Sequence, residues 1–293
     1  MAKLKSGAIT ISDLKDYLGT HSDFAFELRV LEMLKRFGLE CEHGGHYEDP
    51  VTKKSREFDI RASGNYEKAR VRLAIECKNI RENFPILVSC VPRHEHESYH
   101  QVAIMSEPSS TVNGVRLSSL HVPRSDSISI RGDYSLYKAG ELVGKSTSQV
   151  GRATDNSIVA NDVELYEKWG QCLGSAHGLV ERMYWDDDGP EMFGCVIPCV
   201  IVPDGRLWGV AYNIDGTQIG VPEPMDRCSC YADKAFRMGT DLAIDTYWIS
   251  HVEIMTFSGL ERFVMEHLQD VDGYCKIFSP DGINGAFDRR RES

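Results

Sequence analysis

The chain has 293 residues, 42% of them apolar, and a formal net charge of −11 from 33 basic and 44 acidic side chains. That composition supports a core of domain size, while no apolar run approaches the ~18–20 residues of a bilayer span and no secretory apolar stretch stands near Met1, so a cytoplasmic protein without a membrane role is expected. Nine cysteines without paired spacings fit reduced core thiols better than a disulfide framework, and the acidic total argues against tight binding of polyanions by the surface as a whole.

In chain order, residues 22–37 (SDFAFELRVLEMLKRF) carry helical periodicity, with Ser22 or Asp23 as N-cap and Gly38 to stop the helix. Extended pieces follow, broken at Gly44-Gly45 and Pro50, and then VRLAIECKN and FPILVSCVPR as further strands. Residues 106–157, rich in Ser, Gly and Asn, are expected to form an irregular insertion with one hairpin. A second helix is predicted over 161–183, capped by Asn161, with an apolar stripe of Val163, Tyr166, Trp169, Leu173, Ala176, Val180 and Met183. A buried strand near 194–202, a turn at Pro203-Asp204-Gly205, a partner strand, the strand YWISHVEIMTF and the helix SGLERFVMEHL complete the chain. The chain end, 280–293, is expected to be a disordered tail, its basic DRRRES having nothing apolar to bury. The whole reads as one α/β domain, its core over about 20–105 and 158–270.

Charge is unevenly spread. Residues 51–81 hold nine basic side chains (Lys53, Lys54, Arg56, Arg61, Lys68, Arg70, Arg72, Lys78, Arg81) against four acids (Glu57, Asp59, Glu67, Glu76), a local +5. Within this region Asp59 (REFDIRA) and Glu76 (LAIECKN) lie in what read as the two strands of one hairpin. Side chains alternate along a strand, so Glu76 and Lys78 share a face that Asp59 can meet across the pair. Two carboxylates side by side repel unless a cation sits with them, and hard oxygen donors favour Mg²⁺ or Mn²⁺. Glu27 lies on the apolar stripe of the first helix, among Phe24, Val30, Leu31 and Leu34, where an acid is costly without a compensating metal. The plainer alternatives are a solvated hairpin of mixed charge and a Glu27 whose head reaches water.

Taken together, Glu27, the Asp59 of REFDIRA and the Glu76-Cys77-Lys78 triplet closing a strand resemble the PD-(D/E)xK, or restriction-endonuclease-like, nuclease superfamily over about residues 22–92. Phe58 stands where that family's first motif usually has proline. The resemblance implies a restriction-endonuclease-like core, with a mixed central sheet flanked by helices, and hydrolysis of phosphodiester bonds. Asp59, Glu76 and the Cys77 carbonyl would hold Mg²⁺ or Mn²⁺, with Glu27 as a further ligand through water. Lys78 would orient the attacking water and oppose the charge growing on phosphorus. It implies a nucleic-acid substrate, DNA ahead of RNA by prevalence, contacted by Lys53, Lys54, Arg56, Arg61, Lys145 and Gln149. The acidic total suggests a homodimer or a partner subunit, and the superfamily's habits suggest bacterial defence or restriction. The alternative is a nuclease-like fold kept as a non-catalytic nucleic-acid-binding or assembly subunit.

Other constellations compete. AGELVGKS at 139–146 fits a relaxed phosphate loop around Lys145, but a nucleotide site needs a strand before the loop and a helix after it. GQCLG puts Cys172 at nucleophile-elbow spacing inside a helical pattern, which favours a core thiol. His94, His96 and His100, or Cys41 with His43 and His46, lack the paired spacings of a structural zinc site. WDDDGPE at 185–191 reads as a solvated acidic loop.

Overall fold

The computed structural model describes residues 7–20, 22–67, 69–105, 111–112, 115–116, 125–183, 193–240 and 243–292. Two helices, α1 (Ile11–Thr20) and α2 (Phe24–Arg36), precede a run of strands: β1 (Glu40–Glu48), β2 (Ser55–Tyr66), β3 (Ala69–Cys77), β4 (Ile86–Pro92) and β5 (Tyr99–Met105). After the short strands β6 (Thr111–Val112) and β7 (Val115–Arg116) come β8 (Ser125–Arg131), β9 (Leu142–Arg152), β10 (Ile158–Asn161) and helix α3 (Val163–Arg182). The second half holds β11 (Phe193–Val202), β12 (Leu207–Tyr212), β13 (Gln218–Pro224), β14 (Arg227–Thr240) and β15 (Ala243–Thr256). Helices α4 (Phe257–His267), α5 (Val271–Ile277) and α6 (Pro280–Glu292) close the chain.

The expected α/β class with a mixed sheet flanked by helices is what forms. Among the described residues thirteen strands join one sheet whose main path runs β1-β2-β3-β11-β15-β14-β9-β4-β12-β13, with β10 on β9 and the β5–β8 pair on β11. The pairs β3/β11 and β11/β15 are parallel, and β2/β3 and β14/β15 antiparallel. Residues of β11 alternate between two cores: Cys195, Ile197, Cys199 and Ile201 pack with α2, α4, α5 and α6, whereas Val196, Val200 and Val202 face the α3 side. That all-apolar alternation is what a strand covered on both faces requires. Helix α2 buries Phe26, Val30, Leu31, Met33 and Leu34 and ends where Gly38 adopts φ +80°, its N–H donating to Lys35 O. Among the described residues no helix is long and apolar enough to cross a membrane.

Three expectations need correction. The stretch 106–157 is not merely an irregular insertion: β8 and β9 join the sheet, and β9 lies between β4 and β14. Polar residues obscured that strand, but paired neighbours satisfy its backbone. Near its start Gly144 leaves room for Cys230 Sγ and Val88, which an added Cβ would meet at 2.5 and 2.8 Å. The end of the chain is helical: α6 buries Ile283 and Ala286 against the β8 side of the core. The stripe on α3 holds from Trp169 through Leu173, Ala176, Val180 and Met183 but fails in the first turn. Val163 and Tyr166 are exposed, and Leu165, Cys172, Ala176, Val180 and Met183 point inward. The acidic run 185–191 lies outside the described residues.

Candidate functional site

Strands β2 and β3 pair from Tyr66↔Ala69 up to Ile60↔Ile75 and then part. Asp59 stands at the parting. Its Oδ2 accepts the Cys77 N–H at 2.7 Å, so a side chain takes over the role that the ladder has given up. Opposite Asp59 in β1, Gly44 turns to φ +66°, a left-handed conformation that glycine adopts without strain. On β3 the parity of the strand sends Ile75 and Cys77 into the α2-side core and Glu76 toward α3. Asp59 and Glu76 therefore converge, as the hairpin geometry predicts.

The cation between them is Lys168, from the second turn of α3. Its Nζ donates to Asp59 Oδ2 at 2.8 Å and to Glu76 Oε2 at 3.1 Å. Glu76 is 1% exposed, and its Oε1 is enclosed with no hydrogen-bond partner. Burial, then the charge of Asp59, raises the Glu76 carboxyl from the ordinary 4.5 to about 8, against the pull of Lys168. Burial works against the Lys168 ammonium, but Glu76 and Asp59 overcome it and hold the lysine protonated above its usual range. Two acids share one cation here, leaving a net negative charge when both are ionised.

Glu27 comes to the same end of the sheet. Its Oε2 lies 3.3 Å from His43 Nε2, and burial and then the charge of Asp59 raise its affinity for a proton. Lys78 does not sit with the acid pair as expected. Its Nζ lies 3.7 Å from Asp23 Oδ2, while Asp23 Oδ1 accepts the Asn79 N–H at 2.7 Å, so the residues after β3 are tied to the start of α2. Lys78 N donates to Ile201 O, carrying the β3/β11 pairing to the end of the triplet. Cys77 supplies its N–H to Asp59 and buries its side chain in the core.

The basic residues divide. Lys53, Arg56 and Arg61 line two adjoining cavities of about 490 and 750 Å³ between the β1–β2 loop, α3 and β14. Lys53 already lies 3.5 Å from Glu48, and Arg56 4.0 Å from Asp49. Arg61 is buried, donating to Ser175 Oγ and O with its guanidinium over the Phe58 ring. Lys54 is exposed. Lys145 pairs with Glu97 and lies 4.7 Å from the centre of the Tyr231 ring. It sits within strand β9, so no helix follows it and the phosphate-loop reading falls. Cys172 is a core thiol donating to Ala74 O and Cys199 O. His100 is buried between Ser135 and Ile277 O.

Among the described residues no group of three or more His, Cys, Asp or Glu side chains is arranged to hold one metal ion. The Asp59–Glu76 pair nevertheless fits Mg²⁺ or Mn²⁺, which take one or two carboxylates and fill the remaining positions with water and phosphate oxygen. The enclosed, unpartnered Glu76 Oε1 is the second point of fit, since a buried acceptor without a donor is costly and a cation satisfies it.

Lys168 was missed by sequence reasoning, although a signal existed. It falls three residues after Leu165 and four before Cys172, on the inward stripe, just as Glu27 does on α2. Comparison of the chain with protein-family models, with curated proteins and with solved structures returned no match in any of the three.

Proposed function

We propose that this protein is a metal-dependent nuclease, hydrolysing phosphodiester bonds in nucleic acid, with DNA as the first substrate to test. The observation that carries the reading is the Asp59–Glu76 pair, converging where β2 and β3 part around one buried ammonium. Mg²⁺ or Mn²⁺, when bound, supplies a Lewis acid for a phosphoryl oxygen and lowers the pKa of its water. Asp59 and Glu76 would hold the ion, and the Cys77 N–H keeps the Asp59 carboxylate in place. Lys168, not Lys78, is the lysine positioned to oppose charge on the pentacoordinate phosphate and to orient the attacking water. Glu27, raised in proton affinity and hydrogen-bonded to His43, offers an acceptor for the proton that water gives up. Lys53 and Arg56, beside the α3 cavities, would meet the phosphate backbone. The net charge of −11 makes a second copy or a partner subunit the expected source of further positive charge. A restriction or defence role extends the family resemblance.

One observation favours a second reading. Lys168 already neutralises much of the acid pair, as it would in a nuclease-like subunit that binds or assembles without turnover. Incubation with supercoiled plasmid, linear duplex, single-stranded DNA and RNA, in Mg²⁺, Mn²⁺ or EDTA, separates the two. Metal-dependent cutting that Asp59→Ala and Lys168→Ala both abolish supports the enzyme. A folded wild type that cuts none of the four substrates supports the subunit.

A further inference from the structure

A separate cavity of about 380 Å³ lies between the segment that follows β3 and the end of β9. Its wall includes Lys78, Asn79, Arg81, Phe84, Gln149 and Arg152, and no acidic side chain lines it. Three cations and no acid line this concave surface, with Lys78 sharing its charge with Asp23 at 3.7 Å, and in a chain of net charge −11 such a lining favours an anion.

The floor of the cavity asks for something more than an anion. Gln149 is 3% exposed, opposite Ile86 of β4 and Asn161 of β10, and its Oε1 is enclosed with no hydrogen-bond partner. An enclosed amide oxygen without a donor costs about 1–3 kcal/mol, which a ligand bringing an N–H recovers. Phe84 stands alongside. Its ring lies so close over Gly151 that an added Cβ would meet Cδ2 at 2.5 Å, so glycine is what lets the aromatic face sit there. Anion, flat ring and N–H donor on one ligand of this size describe a nucleotide, whose base can stack on an aromatic side chain while its edge is hydrogen-bonded.

We propose that this cavity seats one nucleotide of the substrate strand, its phosphate on Lys78, Arg81 and Arg152 and its base between Phe84 and the Gln149 amide. The assignment rests on the nuclease reading of the acid pair, because Lys78 on the cavity wall follows Glu76 by two residues in the chain. Gln149 then sets which base is accepted next to the cleaved bond. Lys78, displaced from the acid pair, acquires a role as a phosphate contact.

The test is titration of the intact protein, in EDTA, with the four deoxynucleoside 5′-monophosphates and with inorganic phosphate, followed by ligand-observed NMR. At least one nucleotide should bind more tightly than inorganic phosphate by about fivefold or more. Gln149→Leu should erase that preference while leaving phosphate binding in place, and Lys78→Ala should weaken every ligand. If Gln149→Leu melts well below the wild type, Gly151→Ala, which drives Phe84 from its place, gives the same readout. Equal binding of nucleotides and phosphate, or a preference that survives Gln149→Leu and Gly151→Ala, overturns the proposal. Plasmid cutting without nucleotide binding would remove this cavity and leave the nuclease standing. Nucleotide binding without cutting would do the reverse.

Discussion

Lys168 Nζ stands 3.1 Å from Glu76 Oε2, joining the inward face of α3 to the end of strand β3. The same ammonium donates to Asp59 on β2, so one side chain from a distant helix holds two acids that the hairpin brings together. Removing one partner of a buried pair leaves an uncompensated charge, which makes this contact costly to break even where its net contribution is small.

Replacing Lys168 by methionine should therefore destabilise the metal-free protein by about 3 kcal/mol at pH 8. Added Mg²⁺ should restore much of the loss by taking over the role of the cation. Lys78→Met, at the more open pair with Asp23, should change stability by no more than about 1 kcal/mol. Thermal melts of both variants in EDTA and in Mg²⁺ decide the point, and equal losses would mean that Lys168 holds no special position.

The raised Glu76 carboxyl has a defined sign. Between the ordinary 4.5 and about 8 the folded chain binds more protons at this site than the unfolded chain. The contribution of Glu76 to stability is thus fully present below 4.5 and is lost as pH rises through about 8. Denaturant titrations of wild type and Glu76→Gln in EDTA should diverge over that window, with the variant the flatter of the two. Mg²⁺ favours the ionised carboxylate, so its uptake at pH 7 should release about one proton, measurable by calorimetry in two buffers.

Asp59→Asn should abolish cutting and also move the titration of its neighbour. Burial raises Glu76 first, but the charge of Asp59 is the second cause, and removing it lowers the Glu76 pKa. The pH window in which wild type and Glu76→Gln diverge should contract toward lower pH when both carry Asp59→Asn. An unchanged window would mean that the two carboxylates do not sense one another.

The closing helix offers a test away from the site. Ile283 and Ala286 of α6 are buried against the core, so Ile283→Ser should lower stability by about 2 kcal/mol. A disordered end would make the substitution silent in a thermal melt.

What the sequence determined by itself was local. The hairpin of β2 and β3 was legible because strands adjacent in sequence pair readily, and alternation along each then puts Asp59 and Glu76 on one side. Helix α2 was legible from its spacing and from Gly38, and Glu27 drew notice as an acid among apolar neighbours. Tertiary structure decided the rest. The phase of α3 depends on where the sheet lies, and exposed Val163 and Tyr166 at its start pulled the expected stripe away from Lys168. Strand β9 carries too many polar residues to announce itself, and only pairing with β4 and β14 makes a sheet strand of it. The tie of Lys78 to Asp23 joins residues 55 positions apart through a segment whose path no local pattern specifies. Periodicity reports which residues share a face, whereas the partner that covers a face is chosen by packing, and here that choice placed the lysine.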